Sequence, residues 1–268
     1  KGTTNTSSIM TYGYNPKIGK WSTFHGAMNA VVESVAKLVA LGGEYSSARL
    51  TFQEYFERLG KNPSSWGKPF AALLGAYVPP TLVSFAVNTQ DAGKVVSQEI
   101  KKAGSKLVLV EAVEKDYAFP DFDQMKKNFD IITKAIMEEK VLTTYALGFG
   151  GLGEALAKMA FGNKIGLELS ADFEASMESA DDLFRPSYGS IVLEMAEEDL
   201  GLLEGATYKV IGQTIEVSSI KAFGESISLN ELLKVSEGVL ESTFPTKASK
   251  ILTDDIRNIS FERTGELK

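Results

Sequence analysis

The stretch LTTYALGFGGLGEALAKMAFG, residues 142–162, places a run of glycines between an apolar, β-branched segment and a helix-like segment. Gly148, Gly150 and Gly153 form the spacing GxGxxG, which is typical of phosphate-binding turns between a strand and a helix. Glycines in this position also let a helix pack tightly on a sheet in proteins that bind no ligand. The spacing alone therefore leaves open a dinucleotide site, another kind of phosphate site and a purely structural turn.

The surroundings of the turn bear on the dinucleotide interpretation. Asp172 lies about 20 residues beyond the third glycine, where an acidic residue could hold a ribose. However, the segments after residue 185 read mostly as strands, whereas a doubly wound parallel sheet needs strands that alternate with helices. We therefore expect the strand before the turn to lie in a mixed sheet.

The remaining apolar patterns predict two domains. Residues 1–90 form the first, residues 91–247 the second, and residues 248–268 read as a polar linker or tail. Helices are predicted at residues 26–41, 66–76, 121–139, 154–161 and 229–240, and the clearest strands at residues 8–12, 81–87, 106–113, 141–147 and 208–215.

The overall composition excludes several classes of protein. Among 268 residues, 28 are Lys or Arg and 35 are Asp or Glu, which gives a net charge of -7. No basic stripe is present that could neutralise a nucleic acid backbone. No apolar stretch reaches the roughly 20 residues that span a bilayer, and the N-terminal residues lack the pattern of a signal peptide. We expect neither nucleic acid nor membrane as a partner, and a cytoplasmic location.

The chain has no cysteine and a single histidine, His25. Disulfides, thiolate metal sites and a cysteine nucleophile are therefore excluded within this sequence. A Ser-His-Asp hydrolase would need His25, and no GxSxG motif accompanies it.

Three stretches together resemble one family. They are GYNPKIGKWSTFHGAMNAVVESVAKLVALGG (13–43), VPPTLVSFAV (78–87) and LFRPSYGSIVLEM (183–195). They are similar to the second synthetase-like half of phosphoribosylformylglycinamidine synthase of the long single-chain type. The resemblance implies an α+β (α/β) fold like that of aminoimidazole ribonucleotide synthetase: an N-terminal barrel-forming sheet with helices and a C-terminal mixed sheet with helices. It also implies that the glycine turn is a degenerate form of the family's HDVSDGGL turn.

The departures from the family concern its magnesium ligands, which lie in the motifs TDCNP, EAARN and the glycine turn. Here Asn15 is preceded by Gly13 and Tyr14 rather than by the TDC of the family motif, Lys37 replaces the asparagine, and the turn has Gly148 and Phe149 in place of acids. Glu33 is the residual family ligand. We expect Glu33 and Lys37 to form an i, i+4 ion pair and this half to bind no magnesium–nucleotide pair.

The resemblance implies a function for a larger parent enzyme. The family converts formylglycinamide ribonucleotide, ATP and glutamine-derived ammonia into formylglycinamidine ribonucleotide in purine biosynthesis, with ATP and magnesium as cofactors. Partners would be the other synthetase half and a glutaminase domain, and the isolated fragment should dimerise and be inactive. Alternatives are a non-catalytic pseudo-synthetase scaffold and a nucleotide-binding enzyme that uses the turn at 148–153. Relative to the family, roughly thirty residues look absent near Ala76–Tyr77, either because a loop is deleted or because it is missing from this sequence. If the join is real, the end of the helix and the start of the strand on either side must lie close together.

Candidate phosphate-binding residues follow from the same reasoning. The turn offers backbone donors at a helix N-terminus and no acid of its own, while the loop RPSYGS combines a planar cation with hydroxyls and could equally be a polar β-turn. His25 precedes a predicted helix, where a structural role is the more common one. The candidates are Gly148, Gly150, Gly151, Leu152, Gly153, Arg185, Ser187, Ser190 and His25.

Overall fold

The computed structural model describes residues 4–55, 58–75 and 82–246. The chain divides into two compact units, Lys1–Leu229 and Asn230–Lys268. The predicted gap near Ala76–Tyr77 and the predicted tail at 248–268 lie outside the described residues. The domain boundary near residue 90 stays a prediction.

The N-terminal elements build a three-stranded antiparallel sheet covered by helices. Its strand order is β1-β3-β2. The elements are β1 (Thr6–Gly13), α1 (Pro16–Trp21), α2 (Thr23–Ala40), β2 (Arg49–Glu54), α3 (Pro63–Gly75) and β3 (Leu82–Asp91). In β1 buried and exposed residues alternate, so that Ile9 and Thr11 are buried under α2 while Met10 and Tyr12 are exposed.

Helix α2 begins at a side-chain cap and packs closely on the sheet. The hydroxyl of Ser22 accepts a hydrogen bond from the backbone N–H of His25 at 3.3 Å, which satisfies one of the free donors of the first turn. A Cβ on Gly13 would lie 2.0 Å from the carbonyl oxygen of Ala30. Only glycine therefore lets the end of β1 approach the middle of α2 this closely.

Most strands after β3 form a seven-stranded mixed sheet with helices, and β5 and β6 pair with each other in a separate two-stranded sheet. The strand order is β12-β11-β8-β10-β4-β9-β7, and β8 with β11 is its parallel pair. The elements are β4 (Lys106–Val110), β5 (Glu114–Lys115), β6 (Phe119–Pro120), α4 (Phe122–Met137), β7 (Val141–Ala146), α5 (Gly151–Phe161), β8 (Gly166–Leu169), α6 (Ala171–Ala175), β9 (Ile191–Met195), β10 (Tyr208–Ile215), β11 (Ser219–Ala222), β12 (Glu225–Ser228) and α7 (Leu229–Gly238).

Strand β7 lies at one edge of this sheet and pairs with β9, to which it runs antiparallel. This confirms the expectation that the strand before the glycine turn lies in a mixed sheet. Because a dinucleotide site of the doubly wound type needs parallel strands around the turn, the arrangement argues against that interpretation.

The main core lies between the seven-stranded sheet and helices α2 and α4. Its buried side chains come from both helices and from β4, β7 and β9, with Val39, Ile132 and Leu193 among them. The hydroxyl of Thr144 donates to the carbonyl oxygen of Ala40, so β7 is joined to the end of α2. The α+β fold predicted from the sequence is confirmed. Within the described residues, none of the helices is both long and apolar enough to cross a membrane.

Candidate functional site

The glycine turn joins β7 to α5, and residues 183–187 pack tightly against it. The carbonyl oxygen of Gly148 accepts hydrogen bonds from the N–H groups of Gly151 at 3.2 Å and Ser187 at 3.3 Å. Gly151 has a φ of 63°, and a Cβ there would lie 2.3 Å from the carbonyl oxygen of Arg185. This position requires glycine for backbone geometry and close packing, whether or not the turn binds a ligand.

An acid occupies the N-terminal end of α5. The N–H of Gly150 donates to the Glu154 carboxylate at 2.9 Å, and the other oxygen of that carboxylate pairs with Lys158 at 2.5 Å. The turn residues 148–153 themselves contain no acid, but the carboxylate of Glu154, in the first turn of α5, reaches back onto the turn. A carboxylate is attracted to free N–H groups at a helix start for the same reason as a phosphate, so a phosphate at Gly150 would have to displace Glu154.

The candidates in RPSYGS are linked to each other and to the turn. The hydroxyls of Ser187 and Ser190 lie 2.8 Å apart, and buried Ser190 also accepts from the N–H of Ala112 at 2.9 Å. The guanidinium of Arg185 is exposed and pairs with Asp182 at 2.9 Å. Arg185 and Ser187 line a cavity of about 490 Å³ together with Leu152, so the structure brings these three candidates to one wall.

His25 lies apart from the turn, within a group of aromatic rings. Its Nε2 is 2.9 Å from the carbonyl oxygen of Tyr117, and its Nδ1 is 2.7 Å from the Ser22 hydroxyl. Since a carbonyl only accepts, Nε2 carries the proton. The ring also contacts Phe24 and Phe119, and it does not line the cavities that contain the glycine turn.

A second cavity, of about 450 Å³, lies where the end of β1, helices α1 and α2, and the glycine turn meet. We call it the β1–β7 cleft. It is lined by Tyr12, Tyr14, Asn15, Pro16, Lys17, Ile18, Glu33, Lys37, Tyr145, Ala146, Gly148, Phe149, Glu154, Lys158 and Tyr188. Its position, between the two predicted domains and beside the turn, makes it the candidate site.

Glu33 is fixed in the cleft by three hydrogen bonds. One oxygen pairs with the Lys37 ammonium at 2.7 Å, which confirms the predicted i, i+4 ion pair. The other oxygen accepts from the backbone N–H of Tyr14 at 3.1 Å and from the amide of Asn15 at 3.2 Å. Glu33 thus serves to hold the segment after β1 against α2.

The charges of the cleft act on its phenols and on Lys158. Burial, reinforced by the charges of Glu33 and Glu154, raises the pKa of Tyr188. Burial also raises the pKa of Tyr145, against the opposing effect of the Lys158 charge. For Lys158 burial alone would lower the pKa, but the hydrogen bond to Glu154 and the neighbouring Tyr145 outweigh it and the pKa is raised. Lys158 therefore keeps its positive charge and both phenols keep their protons at neutral pH.

The chain is similar to known proteins in sequence and in fold. No family model matches the chain. Among curated proteins, the PurL subunit of phosphoribosylformylglycinamidine synthase from Thermococcus sibiricus is 21% identical over 245 residues, which cover 75% of this chain and 34% of that protein. Thermotoga maritima PurL complexed with AMPPCP superimposes with a TM-score of 0.67 at 14% identity, over 85% of this chain and 44% of that one.

The chain has a fold like that of PurL and is similar in sequence to a PurL subunit. The hydrogenase maturation protein HypE has a similar fold, with a TM-score of 0.55 at 13% identity, over 85% of this chain and 89% of that one. The PurL-like chain spans less than half of the PurL structure and about a third of the curated relative. The predicted resemblance to the phosphoribosylformylglycinamidine synthase family is confirmed.

The cleft of this PurL-like chain does not suit a magnesium ion. Glu33 already accepts three hydrogen bonds, one of them from an ammonium group, and Mg²⁺ needs oxygen ligands with free lone pairs in octahedral geometry. Across residues 4–55, 58–75 and 82–246, no group of three His, Cys, Asp or Glu side chains is placed to hold a metal.

Sequence reasoning missed Lys17, Tyr145, Lys158 and Tyr188 as residues of the cleft. The spacing of Glu154 and Lys158 on one helix face was a usable signal, since it predicts an ion pair just after the turn. Lys17 and Tyr188 carried no such signal, because they are separated by more than half the chain and meet only in the fold.

Proposed function

We propose that the chain is one synthetase-like half of a phosphoribosylformylglycinamidine synthase. The parent enzyme would use ATP and glutamine-derived ammonia to convert formylglycinamide ribonucleotide into formylglycinamidine ribonucleotide. Sequence similarity to a PurL subunit supports this assignment. So does the length of the match, since the chain corresponds to 44% of the PurL structure.

The observation that carries the proposal is the β1–β7 cleft. Helix α2, the end of β1 and the glycine turn enclose a cavity of about 450 Å³ there, and lysines from three elements line it. This volume lies in the range of small-molecule sites. Our proposal is that the chain supplies scaffold and part of a cleft for the phosphates of a nucleotide, and that it does not turn over alone.

The proposed partners are the other synthetase half and a glutaminase. The structure of PurLQS from Thermotoga maritima has a similar fold, with a TM-score of 0.64 at 13% identity. A cysteine-dependent glutaminase needs a thiolate, and this chain has no cysteine. Ammonia would therefore be generated on another domain or subunit.

A scaffold module without ligand is the second candidate function. The observation in its favour is that both acids of the cleft are already paired within the chain, Glu33 with Lys37 and Glu154 with Lys158. In that case the cleft would serve only to hold α2 against the glycine turn. The two functions differ in whether the cleft binds a nucleotide.

Calorimetric titration of the purified chain separates the candidates. We expect ATP or formylglycinamide ribonucleotide to bind at about one site per chain, and NAD to show no heat, because the sheet around the turn is not parallel. A chain that binds neither nucleotide but still associates with the other half would support the scaffold function. Saturable NAD binding would contradict both.

A further inference from the structure

One lysine of the β1–β7 cleft, Lys17, has no carboxylate partner among the described residues. The Nζ of Lys17 lies 4.1 Å from the centroid of the Phe149 ring. In the described part of the chain no Asp or Glu oxygen lies within ion-pair distance of it. The ring faces a cation favourably but does not neutralise it. The cleft thus has three ammonium groups and two carboxylates.

The second ammonium group, that of Lys37, is fixed by the protein. It donates to Glu33 at 2.7 Å and to the carbonyl oxygen of Tyr12 at 3.0 Å, and lies 4.7 Å from the centroid of the Tyr12 ring. Since a lysine ammonium has three donors, one remains for a ligand. The Lys37 ammonium is therefore a fixed cation in the wall of the cleft, next to Glu33, the acid that a metal ion would need as a ligand.

We infer that the β1–β7 cleft takes a phosphate-bearing ligand without a divalent cation. Lys17 supplies an uncompensated positive charge, Lys37 and Lys158 offer further ammonium donors although each is paired with a carboxylate, and the protonated phenols of Tyr145 and Tyr188 line the same space. Charge-assisted hydrogen bonds from ammonium groups to phosphate are strong enough for this role. The inference rests on the proposed function, in which the cleft receives the phosphates of a nucleotide.

The Lys37 ammonium and a magnesium ion would compete for the carboxylate of Glu33. A magnesium ion at Glu33 would lie against the Lys37 ammonium, which repels it, and would compete with the hydrogen bonds from Tyr14 and Asn15. A phosphate approaching Lys17 and Lys37 would leave all three contacts in place. The contacts of Glu33 within the cleft therefore favour a phosphate over a metal ion.

The test measures binding of inorganic pyrophosphate to the chain by calorimetry, in EDTA and then with excess magnesium. We expect saturable binding in EDTA, and no tightening by magnesium. Lys17→Ala should weaken binding by about tenfold or more. Lys20→Ala is the matched control, because Lys20 lies on the same helix α1 but does not line the cleft, and it should change the affinity by less than about twofold.

A reciprocal variant, Lys37→Asn with Phe149→Asp, removes the built-in cation and adds an acid at the turn. In this variant magnesium should tighten pyrophosphate binding by about tenfold or more. Circular dichroism checks that the variant is folded; if it is not, the Lys17 variant alone decides.

Three results would overturn the inference: magnesium-dependent binding by the unmodified chain, unchanged binding by Lys17→Ala, or no binding in EDTA at about 1 mM pyrophosphate. Pyrophosphate has neither an adenosine nor a glycinamide group, so these arms report on the cleft chemistry alone. Failure of the proposed function would instead appear with ATP and formylglycinamide ribonucleotide.

Discussion

Gly151→Ala is expected to lower the free energy of unfolding by about 3 kcal/mol, from a strained backbone and a steric clash together. At a φ of 63°, a Cβ would lie 2.3 Å from the carbonyl oxygen of Arg185 and 2.7 Å from that of Leu183. Both are backbone atoms, which cannot rotate out of the way as a side chain can. The segment 183–185 would therefore have to move away from the turn.

Chemical denaturation monitored by circular dichroism measures this effect, with Gly148→Ala as the matched control. A Cβ on Gly148 meets only the Glu33 carboxylate, at 3.6 Å, which is an ordinary contact, so we expect a loss below about 1 kcal/mol. If the Gly151 and Gly148 variants were equally stable, the close packing of the turn against residues 183–185 would be disproved.

Met10→Lys is expected to convert a self-associating chain into a monomer, weakening association by about a hundredfold or more. The residue is 66% exposed and lies on the outer face of the three-stranded sheet, opposite Val87. Tyr12, with Phe85 opposite, continues this face. An apolar sheet face left open to water favours pairing with another such face, and two lysines facing each other would oppose it.

Sedimentation at tens of micromolar gives the measurement. Met137→Lys is the matched control, since Met137 is also an exposed methionine but lies on helix α4; it should leave the association unchanged. A monomeric unmodified chain would contradict the expectation that this fragment dimerises through the sheet.

The parts of the fold that were predicted from the sequence are those with a repeating pattern. Helix α2 shows apolar residues at helical spacing, and helix α4 is preceded by Asp121, whose side chain caps it. The short elements α6 and β12 were missed, because four or five residues are too few to show a period. The order of the strands in the sheet could not be predicted, since it depends on which strands pair across long separations in sequence.

In the candidate site too, contacts that are local in sequence could be predicted and contacts between distant elements could not. The Glu33–Lys37 pair could be predicted because both residues lie on one helix. Glu154 was missed as a partner of the Gly150 N–H because it lies one residue beyond the position at which a capping box places its acid. The proximity of Lys17 to Phe149 joins elements that are distant in sequence, so only the three-dimensional structure shows it.

Product formation by the full-length parent protein tests the central claim most directly. Supplied with formylglycinamide ribonucleotide, ATP and glutamine or ammonia, the parent should form formylglycinamidine ribonucleotide and release ADP in equal amounts, and the isolated chain should form none. A parent protein that binds these substrates but yields no formylglycinamidine ribonucleotide, with its glutaminase present or ammonia added, would contradict the assignment.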